Sequence, residues 1–214
     1  MALTINEIFY SIQGESTWAG LPFVFIRLTG CNLRCRYCDT QYAYTQGTVW
    51  SLDKIIAHVA QLRCQCIAIT GGEPLLQTDT PLLVQQLIES GFMVTMETNG
   101  SQDVGGLDPR CIKVLDVKCP SSGMMAHNFQ DNLKRITRQD QVKFVIADRT
   151  DFEFACKTSE PILETLSAQQ ILFSPAHGVL AADELAQWML DGHIQARLQI
   201  QLHKYLWPHV DRGR

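Results

Sequence analysis

The chain has no stretch approaching the roughly twenty consecutive apolar residues that a membrane helix requires. Its first residues, MALTINEIFYSIQGES, show no basic start leading into an apolar run, so they do not read as a secretory signal. Positive charge is scarce as well. There are 18 Lys and Arg against 22 Asp and Glu, for a formal net charge of -4, and no dense basic run occurs. Nucleic-acid binding, which draws its affinity from clustered Lys and Arg, therefore lacks electrostatic support. Repeats, low-complexity tracts and any composition break that would mark a second domain are also missing. The expectation is a soluble, cytoplasmic protein of one domain, residues 1–214, with neither membrane nor nucleic acid as partner. With 214 residues, 46% of them hydrophobic, the chain can bury one sizeable core.

Cysteine, by contrast, is plentiful: Cys31, Cys35, Cys38, Cys64, Cys66, Cys111, Cys119 and Cys156. In a long chain with an ample core and a reducing compartment, clustered thiols point to metal binding or catalysis rather than to disulfides. Cys64, Cys66, Cys111 and Cys156 stand among apolar residues and read as small buried hydrophobes. Cys31, Cys35 and Cys38 are different. They crowd into GCNLRCRYCDT, residues 30–40.

Short apolar and β-branched runs alternate with helical patterns. Strands are expected at 23–28, 66–70, 93–98, 112–118, 141–146, 170–174 and 196–202. Residues 52–62 place Leu52, Ile55, Ile56, Val59 and Leu62 on one helical face after Ser51 as N-cap. Further helices are expected at 81–90, opening on Pro81 and stopped by Gly91, and at 182–191, stopped by Gly192. Residues 119–140 carry only weak helical periodicity, and the tail after Pro208 is expected to fray. Strand–helix–strand spacing implies a parallel sheet whose right-handed crossovers bring all strand C-terminal ends to one side. Ligands bind at that edge in α/β folds. TGCNLRC, TGGEP, ETNG, KCPSSG and SPAHG all follow predicted strands, so five loops should converge on one mouth.

A Cys-x3-Cys-x2-Cys loop could be three-quarters of a tetrahedral zinc site. No nearby C-x-x-C or H-x-H pair supplies the fourth ligand, and Cys64 and Cys66 lie at the wrong end of their strand. Iron–sulfur clusters usually take four thiolates. Three thiolates on four irons would leave one iron open to a substrate or cofactor.

The spacing Cys31-x3-Cys35-x2-Cys38, with Tyr37 before the third cysteine and Gly71-Gly72-Glu73-Pro74 after the next strand, resembles the signature of radical S-adenosylmethionine (SAM) enzymes. Adding EIFYSIQGES, FVFIRLTGCNLRCRYCDT, METNG and DVKCPSSG, nearly the whole chain is similar to the 7-carboxy-7-deazaguanine synthase (QueE) family. The resemblance implies an α/β fold: a single-domain, partial TIM-like barrel of radical SAM type, mostly parallel, with fewer helices than a full barrel. It implies a 4Fe-4S cluster, SAM and Mg2+. The reaction would turn 6-carboxy-5,6,7,8-tetrahydropterin into 7-carboxy-7-deazaguanine with loss of ammonia, in queuosine and other 7-deazapurine biosynthesis. A flavodoxin or ferredoxin-type electron donor and a homodimer are also implied.

The family's roles fall on this sequence as follows. Cys31, Cys35 and Cys38 hold the cluster. Residues 1–22 form a substrate segment in which Ile12, Gln13, Gly14 and Glu15 meet the pterin, Glu15 accepting from its guanidine-like edge. Arg27, a charge inside an apolar run, is costly unless paired, and a substrate carboxylate would match its fork. Thr70 and Pro208 also reach the substrate. Tyr37, Cys38, Asp39, Gly72, Lys118, Cys119, Pro120, Ser174, Pro175, Ala176 and His177 border SAM, and Thr40 is a magnesium ligand. Two other readings compete. A glycyl-radical activase shares the cysteine spacing but needs a groove for a protein loop, and a non-enzymatic iron–sulfur or zinc protein needs a fourth protein ligand.

Overall fold

The computed structural model describes every residue except 211 and 214. Its described residues form one nine-stranded sheet in the order β3-β1-β2-β4-β5-β6-β7-β8-β9. The strands are β1 (Ala2–Ile12), β2 (Pro22–Leu28), β3 (Thr48–Ser51), β4 (Cys66–Gly71), β5 (Met93–Thr98), β6 (Ile112–Val117), β7 (Gln141–Ile146), β8 (Ile171–Pro175) and β9 (Arg197–Leu198). From β2 to β9 every pairing is parallel. β1 runs antiparallel to β2, and β3 to β1. β3 and β9 remain as edges, so the sheet is an open partial barrel of the expected class.

Alternation along the strands sorts the residues onto two faces. Val24, Ile26, Ile67, Ile69, Val94, Met96, Leu115, Val117, Val142, Phe144, Ile171 and Phe173 form one apolar core. It is covered by α1 (Leu52–Gln61), α2 (Thr80–Glu89), α4 (Arg149–Ser159) and α5 (Ala182–Asp191). The Ser51 side chain accepts from the Lys54 N–H at 3.3 Å, as its N-cap position predicts.

Several elements depart from expectation. β1 and β3 were not anticipated: Asn6 and Glu7 interrupt the apolar alternation of β1, and β3 is a four-residue, largely exposed edge. The missed α4 has Asp148 as its N-cap and buries Asp151 and Ser159 alongside Phe152 and Ala155, which blurs its apolar period. Residues 119–140 hold two 3-10 turns and only α3 (Asn132–Arg135). Side chains there replace secondary structure as backbone partners: buried Asn132 donates to the Gly100 and Gln102 carbonyls and accepts from the Val104 N–H. The expected strand 196–202 shortens to β9 and gives way to α6 (Leu202–Leu206). After Pro208 the described residues of the tail contact the sheet. Arg212 donates to Gln46 and stacks on Tyr42, and the Gly213 N–H donates to Glu7, while residues 211 and 214 lie outside the described residues.

On the helix side of the sheet, Lys113 and Asp140 form a 3.0 Å ion pair with 5% and 0% side-chain exposure. Asp140 also accepts from the Lys113 and Thr137 backbone N–H groups. Asp140→Ala would leave a buried ammonium unpaired and is expected to cost about 3–5 kcal/mol. Urea unfolding measures this, and a loss under about 1 kcal/mol would rank the pair with exposed ones.

Candidate active site

The strand face opposite the helices begins apolar, with Phe23, Phe25 and Ala68 packed together. Toward the C-terminal ends it turns polar. Arg27, Thr70, Glu97, Asp116, Lys143 and Ser174, one from each of six adjacent parallel strands, line a single cavity. Arg27 lies opposite Thr70, and Asp116 opposite Lys143, so pairing register gathers the row.

The row is tightly interbonded. Lys143 Nζ sits 2.7 Å from Glu15 and 3.8 Å from Asp116. Asp116 pairs with Lys118 at 2.9 Å, and Thr70 donates to Glu97 at 2.9 Å. Burial alone would raise the Glu15 carboxyl, but Lys143, with the amide of Gln201, outweighs it and holds the group at about 2. Burial would likewise depress the Lys143 ammonium, yet Glu15, Asp116 and Glu97 together push it above its ordinary value. Glu97 moves the other way, raised by burial that Lys143 only partly offsets.

Cys31, Cys35 and Cys38 are free, half-buried thiols on the same cavity. Cys31 Sγ accepts from the Leu33 N–H at 3.4 Å and from Asn99 Nδ2 at 3.6 Å. Cys64 is far from them in the fold, donating to the Pro22 and Cys66 carbonyls at the N-terminal strand ends. Three thiols on one mouth, with N–H donors already on one sulfur and no fourth cysteine among the described residues that line it, fit a cluster held by three thiolates.

The glycines of TGGEP explain where that loop sits. Gly71 has φ +147°, and a Cβ on Gly72 would overlap the Gly30 carbonyl and Cys31 Cβ. The close approach is thus to the cysteine loop itself. The Glu73 N–H donates to Gly30 O at 2.8 Å. The fully buried Glu73 carboxylate accepts from the Leu75 and Asn99 N–H groups and from Thr98 Oγ1.

Two chain segments wall the other side. Gly14 lies so close to His203 that a Cβ would overlap its Nδ1, and Gly14 O accepts from the Leu202 N–H at 2.9 Å. Gln201 donates to Glu15 at 2.8 Å and to Asp39 at 3.2 Å. Burial lowers the His203 imidazole.

Of the residues predicted for the site, Ile12, Gln13, Gly14, Glu15, Arg27, Thr70, the three clustered cysteines, Tyr37, Asp39, Thr40, Gly72, Lys118, Ser174, Pro175, Ala176 and His177 all line the cavity. Cys119, Pro120 and Pro208 do not. Cys119 is buried beneath the loop, and Pro208 is exposed because α6 turns the chain away; His203 enters in its place. Arg27 is not unpaired: its Nε donates to Glu7 at 2.8 Å, and the guanidinium contacts the Phe9 and Tyr42 rings. Glu15 has both oxygens engaged, by Lys143 and Gln201, and so is not left waiting for a ring edge.

The sequence pattern of the Radical SAM superfamily matches residues 25–147, more than half of the chain. Along its whole length the chain is similar to proteins called 7-carboxy-7-deazaguanine synthase. It is 42% identical to that of Chlorobaculum tepidum, over 99% of this chain and 97% of the relative. It is 38% identical to that of Koribacter versatilis, over 99% and 100%. The chain belongs to the 7-carboxy-7-deazaguanine synthase family of radical SAM proteins. The crystal structure of QueE from Escherichia coli has a similar fold, with TM-score 0.76, 23% identity and 95% of each chain covered. Streptococcus suis SuiB bound to S-adenosylmethionine shares the fold more loosely, with TM-score 0.59, 12% identity, and 80% of this chain and 48% of that one covered.

Within this family member, sequence reasoning missed Glu97, Asn99, Asp116, Lys143, Gln201 and His203, all on the cavity. The signal for three of them was the one used for Arg27, a charged residue inside an apolar strand. Lys113 carries the same signal and faces the helices, so only strand parity separates the two kinds.

The Glu15 pair has a pH signature. Because its carboxyl titrates below the ordinary 4.5, the pair stabilises the fold fully above that pH and loses the contribution as pH falls toward about 2. Glu15→Gln is expected to flatten the acid limb of stability over this window. An unchanged limb in thermal melts would remove the pair from the acid response.

Proposed function

We propose that the chain is a radical SAM carbon–nitrogen lyase that converts 6-carboxy-5,6,7,8-tetrahydropterin to 7-carboxy-7-deazaguanine with loss of ammonia, serving queuosine and related 7-deazapurines. The observation that carries the reading is the meeting of three open thiols and a polar row in one cavity, in a chain similar to the synthases over its whole length. When bound, a 4Fe-4S cluster and SAM supply the radical that takes a hydrogen atom from the substrate.

The protein's own part is to hold and orient. Cys31, Cys35 and Cys38 hold the cluster, and Gly72 keeps the loop beside it close. Tyr37, Asp39, Lys118 and the 174–177 loop border SAM; Tyr37 is fixed by its hydroxyl donating to Val145 O at 3.2 Å. Among the described residues only Nε of Arg27 is bonded, which leaves the outer edge of the fork for the substrate carboxylate. Ile12, Gln13, Gly14, Thr70 and His203 surround the ring. Glu15 acts by bonding Lys143 and Gln201, joining the N-terminal segment to the chain before α6. Thr40 donates to Asp39 at 2.8 Å; its hydroxyl oxygen and the adjoining carboxylate offer the hard oxygens that magnesium takes.

The whole chain, 1–214, acts as one unit in this reading. It works in the cytoplasm as a homodimer and receives electrons from a flavodoxin or ferredoxin-type protein, all on the strength of the family likeness. No helix among the described residues is long and apolar enough to cross a membrane.

Anaerobic reconstitution with SAM, magnesium, a reductant and the carboxypterin tests the reaction. The deazaguanine product is expected by mass spectrometry; cleavage of SAM without product would keep the radical chemistry and discard the substrate. Alanine at Cys31, Cys35 or Cys38 is expected to abolish the cluster, with Cys64→Ala unaffected. A requirement for Cys64 would instead favour a four-thiolate electron carrier or zinc protein.

Arg27→Ala is expected to raise KM for the pterin while uncoupled SAM cleavage persists, and equal loss of both would end its substrate role. Thr40→Ala should blunt the magnesium response, which a metal titration reads directly.

A further inference from the structure

Asn99, in the ETNG loop after β5, was not assigned any part by the sequence, yet it touches the cysteine loop directly. The residue is buried, with 8% exposure. The amide orientation is set by its neighbours: Oδ1 accepts from the Ser101 N–H at 2.9 Å, so Nδ2 must point the other way. There its two hydrogens go to Asn32 Oδ1 at 3.2 Å and to Cys31 Sγ at 3.6 Å. Behind it, the Asn99 N–H donates to Glu73 at 2.7 Å, and Thr98 donates to both oxygens of that carboxylate. Glu73 is completely buried, and its own N–H is bonded to Gly30. The path from the TGGEP loop through Glu73 to Asn99 and back to Cys31 is therefore closed, and the amide has little freedom to leave the sulfur.

We infer that Asn99 is a positioning residue that donates to the Cys31 thiolate and raises the reduction potential of the cluster that thiolate holds. This rests on the reading of Cys31 as a cluster ligand. The physical reason is electrostatic. Reduction adds negative charge to the cluster and its thiolates, so an N–H donor stabilises the reduced form more than the oxidised one. Glu73 and Thr98 serve the same end by fixing the loop that carries the donor.

Two substitutions separate this from a scaffolding role. Asn99→Asp keeps an oxygen for the Ser101 N–H but removes the donor and brings a carboxylate to the sulfur. Asn99→Ala removes all three side-chain bonds, to Cys31, Asn32 and Ser101, without adding charge. With the full chain reconstituted anaerobically, iron and sulfide content are measured first, and the midpoint potential is then followed by EPR-monitored titration. The expected order is wild type highest, Asn99→Ala lower, Asn99→Asp lowest, with iron and sulfide content retained. A variant that holds its cluster at the wild-type potential overturns the proposal. Loss of the cluster from both variants also overturns it, leaving Asn99 as scaffold only. If wild type itself binds no cluster, the radical SAM reading falls instead, and that outcome is distinct from the others.

Discussion

The site depends on the close approach of two loops at the ends of β2 and β4. Gly72 lies against Gly30 and Cys31 so tightly that a single methyl group would separate them, and Glu73 hydrogen-bonds across the gap. This contact places three thiols above the parallel strand ends rather than out in solvent. Glu73 extends it. A carboxylate with no ion-pair partner is costly to bury, and burial does raise this one. Its bonds to Leu75, Thr98 and Asn99 offset that cost, and the same bonds join the third loop to the first two.

Below the thiols, the cavity is organised by charge. Lys143 stands among Glu15, Asp116 and Glu97, and each of these carboxylates comes from a different segment of the chain. Such an arrangement is expensive to desolvate and gains little stability over a well-packed apolar core. Its value is in shape. Glu15 is pinned to the sheet by Lys143 and to the chain before α6 by Gln201, so the N-terminal segment and the C-terminal segment close the same wall. Residues 14–15 and 201–203 thus form one wall of the cavity. The likeness to the synthases along the whole chain is why that reading fits better than an activase.

Much of this was legible beforehand. The central strands and the helices α1, α2 and α5 follow from periodicity, because their apolar residues all face one core. The cysteine loop and TGGEP were legible because their residue types have few other uses at that spacing. β1 and α4 were not, since polar residues within the strand and a polar buried face on the helix both dilute the apolar period. Pro208 lies outside the cavity for a related reason: a segment expected to extend as strand coils into α6 after two residues of β9, which carries His203 inward and the proline outward.

The sequence by itself determined the chemistry available: three thiols without a fourth, glycines where backbones must meet, and loops that all follow parallel strands. Local residue type and spacing suffice for that, because right-handed crossovers leave the strand ends only one side on which to gather. Tertiary structure alone decided which charges face the cavity. Lys113 and Lys143 look alike in their strands, but parity and register send one beneath the helices to Asp140 and the other into the site. It also decided that Arg27 already has Glu7 as a partner and that Asn99 meets Cys31. Those contacts join residues 20 and 68 positions apart, and no local pattern encodes them.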